Sequence, residues 1–170
     1  GIANTFLLAQ GLQTGNSLIE PDMVDAANRI LNMDQVNVPM PTDVRVGKAF
    51  SNETEAKIKT VEDIESDDVI LDIGPDTAKI YAEVIKTANT IIWNGPVGVF
   101  EFDQFSHGTK ALAAAVKDNP GLKIAGGGDT VAVIEQYKIM DSISYISTGG
   151  GAFLEFIKSG SLPILDLLEN

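Results

Sequence analysis

The residues of this chain best placed to do chemistry are backbone amides at two glycine clusters. In Lys123-Ile-Ala-Gly-Gly-Gly-Asp-Thr-Val-Ala-Val-Ile134, the run Leu122 to Ala125 predicts a buried strand, and Gly126 to Gly128 predict a turn. Asp129-Thr130 then opens a segment whose length and polar interruptions suit a helix. The first N–H groups of a helix have no partner within it, and the aligned peptide dipoles place roughly half a positive charge there. Glycine lets an oxyanion approach those amides without a Cβ in the way. The pattern returns at Tyr145-Ile-Ser-Thr-Gly-Gly-Gly-Ala-Phe-Leu154, with Gly149, Gly150 and Gly151 in the turn. Two such turns in a short chain point to a phosphate-handling site.

Side chains near these turns have more than one possible use. Asp129 at the expected helix start can cap it with its carboxylate, or can hold magnesium, which takes one or two carboxylates and shares phosphate oxygens. Thr130 can cap or donate its hydroxyl to a phosphate. Trp93-Asn-Gly-Pro-Val-Gly-Val-Phe-Glu101 sets two glycines and a proline between apolar residues, the composition of a rigid loop at a strand end. Glu101 suits a ribose hydroxyl or a plain surface position. His107 is the only histidine and reads as a surface residue, so neither a histidine-rich metal site nor a Ser/His/Asp set can be assembled. Gly47-Lys48 lacks the rest of a Walker loop, and no G-x-G-x-x-G follows a strand. Asp67-Asp68 reads as solvated.

Composition narrows the partners. Net charge is −12, which argues against nucleic acid, whose binding needs lysine and arginine on the phosphates. Nucleotides stay open, because amides and a divalent cation supply local positive potential. With no cysteine there is neither a disulfide framework nor a thiolate metal site, consistent with a cytoplasmic setting. No apolar run approaches the ~20 residues of a membrane span, so no membrane partner is expected. The opening Gly1-Ile-Ala-Asn-Thr-Phe6 looks like the interior of a strand–helix unit, so a fragment is expected.

The elements that must carry these residues alternate. Helices are expected over 2–10 and 21–33, and an extended, proline-punctuated connector over 36–41. A strand is expected at 43–47, and a solvated acidic excursion at 51–68. From there strands are predicted at 69–73, 90–93, 122–125 and 143–147. Helices follow each of them, the first burying Ile80, Tyr81, Val84, Ile85 and Ala88, and the others near 106–118, 130–138 and 151–158. An apolar piece, Ile164 to Leu168, closes the chain. This pattern predicts right-handed βαβ units in an α/β fold: a Rossmann-like, doubly wound, mostly parallel sheet of about five strands with helices on both faces. The ligand then lies at the strands' carboxyl ends, where Gly74-Pro75, Asn94-Gly95-Pro96, Gly126–Gly128 and Gly149–Gly151 all fall. No linker divides the chain, so a single domain over 1–170 is expected.

Trp93–Glu101, Ala125–Thr130 and Ile143-Ser-Tyr-Ile-Ser-Thr-Gly-Gly-Gly-Ala-Phe153 together resemble signature segments of the phosphoglycerate kinase family. Gly1–Phe6 resembles the tail of that family's Gly-Gly-Gly-x-Ala-x-Thr-Phe segment, and Leu71-Asp-Ile-Gly-Pro75 its Leu-Asp-x-Gly-Pro segment. The resemblance implies the larger part of a C-terminal nucleotide-binding domain, without the N-terminal substrate domain. It implies a glycolytic kinase that moves a phosphoryl group between 1,3-bisphosphoglycerate and ADP, giving 3-phosphoglycerate and ATP with Mg²⁺. Gly1, Leu71, Pro96 and Val99 would line the adenine pocket, and Asn94 and Glu101 would face the ribose and nearby phosphates. Gly127, Gly128 and Thr130 would contact phosphates, Asp129 would hold the magnesium, and Gly149, Gly150 and Gly151 would face the transferring phosphoryl group. The 3-phosphoglycerate would be met through the absent domain. Family enzymes are usually monomeric.

The family's Gly-Ala-Lys segment and its arginine-rich acceptor patch are not in these residues, so the chain alone is expected to be inactive and to bind nucleotide weakly. A non-catalytic nucleotide-binding module is the rival reading. A dinucleotide-dependent oxidoreductase is a third, disfavoured by the missing fingerprint.

Overall fold

The computed structural model describes residues 1–147 and 149–159. The expected apolar piece 164–168 lies outside the described residues, as does Thr148. The chain divides into two compact units, one made of Gly1–Glu83 with Val97–Leu112, the other of Val84–Pro96 with the residues from Ala113 onward.

The first unit is built on an antiparallel sheet. Strand β1 (Asp43–Gly47) lies between β2 (Lys57–Thr60) and β3 (Val69–Ile73). Alternation along β1 sends Val44 and Val46 into a core with Leu7, Val61 and Ile64. Leu7 comes from helix α1 (Ile2–Ala9), and α2 (Val24–Leu31) is entered through a short 3₁₀ turn begun by Pro21. Helices α3 (Pro75–Thr87) and α4 (His107–Asp118) begin in this unit and end in the other.

Carboxylates start both of these helices. The Asp43 carboxylate accepts the amides of Asp76 and Thr77 at 3.1 and 2.7 Å, and the Thr77 hydroxyl donates to it as well. Burial pushes the Asp43 carboxyl up, but these bonds and the nearby Arg45 hold it below the usual range. Asp72, almost wholly buried, accepts Gly108 N–H at 2.8 Å and Ile73 N–H at 2.9 Å.

The second unit holds a parallel sheet in the order β4 (Thr90–Trp93), β5 (Leu122–Gly126), β6 (Tyr145–Ser147). Helix α5 (Gly128–Gln136) follows β5 and buries Val133 and Ile134, while α6 (Gly150–Ser159) follows β6. Asn119 closes the turn into β5. Its amide donates to the carbonyls of Ile85 and Ala88 at the end of α3, and its Oδ1 accepts Gly121 N–H.

The structure corrects the sequence reading in several places. The strands are divided between two three-stranded sheets, one antiparallel. The acidic stretch 51–68 is not a wholly solvated excursion. It carries β2 and buries Val61, Ile64 and Asp68. Asp68, read as solvated beside Asp67, is fully buried, with Lys59 and Lys48 at 2.7 and 2.9 Å from its two oxygens. Ile80 and Val84 of α3 are exposed rather than buried. Among the described residues no helix is long and apolar enough to cross a membrane.

Candidate functional site

In the second unit the three parallel strands end at one edge. Register places Trp93 beside Ala125 and Gly126 beside Ser147. Neighbouring strands lie roughly 4.8 Å apart, so the turns after β4, β5 and β6 stand side by side. Gly127 and Gly149 are therefore on the same edge, as the glycine clusters require if they share one ligand.

The turn after β5 is shaped by glycine. Gly127 is the N-cap of α5, with φ +94°. That region favours glycine, and a Cβ here would stand 2.8 Å from Asn94 Oδ1. Among the described residues no side chain caps the helix. The first backbone bond of the α5 ladder runs from Val131 N–H to the Gly127 carbonyl at 3.1 Å. The amides of Gly128, Asp129 and Thr130 thus precede the ladder. Gly128 is exposed, and open space surrounds the place where its Cβ would be.

Asp129 lies inside the first turn, not at the N-cap, so the capping alternative is removed. It is exposed, and among the described residues it enters no ion pair. A hard cation that shares phosphate oxygens suits such a carboxylate. Thr130 is fully buried, and its hydroxyl accepts Gly95 N–H at 2.7 Å. That bond ties the Asn94–Pro96 loop to α5. Trp93 Nε1 donates to the Gly95 carbonyl at 2.9 Å, bracing the same loop, while Asn94 is exposed and Pro96 half-buried. Gly149 is exposed before α6; Gly150 and Gly151 form its first turn, and open space surrounds the Gly151 Cβ position.

The remaining predicted residues belong to the first unit. Leu71, buried in β3, accepts Val99 N–H at 2.8 Å, so these two come together. Glu101 is exposed on the following turn. Gly1 precedes α1, its carbonyl accepting both the amide and the hydroxyl of Thr5, and it is not among the residues hydrogen-bonded to Leu71 or Val99.

Two supports escaped the sequence reading. Thr109, fully buried, accepts the amides of Val97 and Gly98 at 3.3 Å and so holds the base of the Val99 loop. Asp72 lies so close beneath Gly98 that any Cβ there would collide with its carboxylate. Asp72 belongs to a motif quoted above, but nothing in the sequence marks Thr109.

These features define an α/β protein whose parallel sheet ends in amide-rich glycine turns. A family profile described as phosphoglycerate kinase matches residues 1–160. Phosphoglycerate kinase of Francisella tularensis subsp. tularensis strain WY96-3418 is 55% identical over 172 residues, covering 99% of this chain and 44% of that protein. Among solved structures, phosphoglycerate kinase from Coxiella burnetii is 45% identical with a TM-score of 0.93, covering 99% of this chain and 44% of that one. The enzyme from Pyrococcus horikoshii OT3 is 33% identical with a TM-score of 0.82, covering 99% and 43%. The chain belongs to the phosphoglycerate kinase family and has its α/β, Rossmann-like fold. It spans less than half the length of these relatives.

Proposed function

We propose that these residues are the nucleotide-binding part of a kinase that passes a phosphoryl group between 1,3-bisphosphoglycerate and ADP. The observation that carries the reading is the common edge shared by the glycine turns after β5 and β6, with uncapped amides at Gly128. In the proposed reaction a β-phosphate oxygen of ADP forms a bond to the phosphorus of the acyl phosphate. The bond from that phosphorus to the carboxyl oxygen breaks, and the carboxylate of 3-phosphoglycerate leaves.

Such transfer needs positioning and charge neutralisation more than side-chain acid–base work. The amides of Gly127 and Gly128 hold the phosphates of the nucleotide, and those of Gly149–Gly151 face the group in transit. Thr130 is assigned a positioning part through Gly95, with its backbone amide on the phosphates. Leu71 and Val99 are the apolar candidates for the base, Gly1 and Pro96 its flanks, and Asn94 and Glu101 the polar candidates for the ribose side. Asp129 would hold Mg²⁺, which bound there would neutralise phosphate charge.

Calorimetric titration of this chain with ADP tests the reading, with and without Mg²⁺. Binding is expected to strengthen with Mg²⁺, and D129N is expected to abolish that gain with only a small fall in urea midpoint, from the loss of a negative charge in the first turn of α5. A Mg²⁺ effect that survives D129N would remove Asp129 from the metal. A coupled assay on these residues alone is expected to show no turnover, and full turnover would overturn the assignment of the acceptor to residues outside them.

A further inference from the structure

A cleft lies within the first unit, and none of the residues assigned above lines it. Its volume is about 340 Å³, within the range of small-molecule sites. Arg45, Lys79 and His107 bring basic groups to it, and Ile73, Ala78 and Ala111 an apolar wall. The first turns of α3 and α4, entered through Pro75 and His107, both border it.

Arg45 makes this cleft unusual. Among the described residues its Nε is buried without a hydrogen-bond partner and its guanidinium enters no ion pair. A buried donor left unmatched costs about 1–3 kcal/mol, more when charged, so native structures rarely leave one without a reason. Asp43 and Asp72 are the anions near enough to act on it electrostatically. Their oxygens, however, are engaged with the amides that begin α3 and α4. The cation is therefore held beside two carboxylates already committed to capping. His107 reports the same local field, its pKa lowered by burial and by the charges of Arg45 and Lys110. Among the described residues Lys79 pairs only with Asp76, in an exposed contact at 2.8 Å, while Asp43 acts on it through its charge. Such pairs contribute little, so Lys79 can turn to another anion.

We propose that this cleft binds a small organic anion, its oxyanion head on Arg45 and Lys79 and its apolar body against Ile73, Ala78 and Ala111. Arginine's planar fork suits a carboxylate or phosphate head. The apolar wall adds affinity that a bare inorganic ion cannot gain.

Phenyl phosphate, with inorganic phosphate as the headgroup alone, tests the proposal in ¹H–¹⁵N titrations of this chain. Phenyl phosphate is expected to give saturable shifts at the Gly74 and Gly108 amides, which border the cleft. It is expected to bind at least tenfold more tightly than inorganic phosphate and to lose at least tenfold in R45M. Should R45M fail to fold, K79M serves instead, because Lys79 is largely exposed; it is expected to weaken binding at least threefold. Shifts that do not saturate, shifts confined to Gly127 and Gly128, or equal affinity in the folded variants would each overturn the site.

Discussion

At the scale of single residues, Gly127 and Gly128 are neighbours with different physical demands. Gly127 combines φ +94° with a Cβ position 2.8 Å from Asn94 Oδ1. Gly127→Ala is therefore expected to lower unfolding free energy by about 1–3 kcal/mol through backbone strain. It should also weaken ADP binding, because Asn94 must move. Gly128→Ala meets open space at a helical position. It should leave stability unchanged or raise it by up to about 1 kcal/mol. Urea titrations of both variants check this, and an equal loss in the two would show that the geometry of this turn is not what matters. Thr130 makes a similar point. A threonine after Gly-Asp invites a phosphate contact, but its burial and its bond from Gly95 spend the hydroxyl on shaping the loop.

At the scale of elements, α4 and the Val99 loop depend on Asp72. Burial pushes its carboxyl up to about 6, against the amides of Gly108 and Ile73 and the charge of Arg45, which pull it down. The native state thus holds the proton more tightly than the unfolded chain, whose aspartates titrate near 3.8. The stabilisation from this group is complete below about pH 4 and is lost as pH rises through about 6. Asp72→Asn should remove that part of the pH dependence. The difference in urea midpoint between the parent and variant chains should therefore change between pH 4 and 6.5 and be flat above it. A flat difference across the whole range would mean that Asp72 ionises normally.

At the scale of the whole molecule, charge matters most. A net charge of −12 implies self-repulsion, so moderate salt is expected to raise the urea midpoint by screening it. Asp68 provides the opposite case. Burial would raise its carboxyl, but Lys59, the Glu65 amide and Lys48 hold it down to about 2. Its contribution is present above the normal aspartate range and is lost as pH falls through about 2. Asp68→Asn leaves Lys59, which is largely buried, with one carboxylate fewer. A lower urea midpoint is therefore expected, limited by the Glu65 carboxylate that still meets Lys59. A midpoint unchanged by Asp68→Asn would show the network to be a surface ornament.

The sequence by itself determined the α/β class, most of the element order, the two glycine turns and the family, because each of these is written in local patterns. Strand and helix periods, glycine at strand ends and long motifs need only neighbours along the chain. Tertiary structure alone decided the division into two sheets, the burial of Asp68, the exposure of Ile80 and Val84, and the parts played by Thr109, Thr130 and Arg45. Each of these turns on a partner distant in sequence, such as Gly95 for Thr130 at a separation of 35 residues. A hydroxyl or a carboxylate looks the same in a sequence whether a backbone amide or water waits beside it.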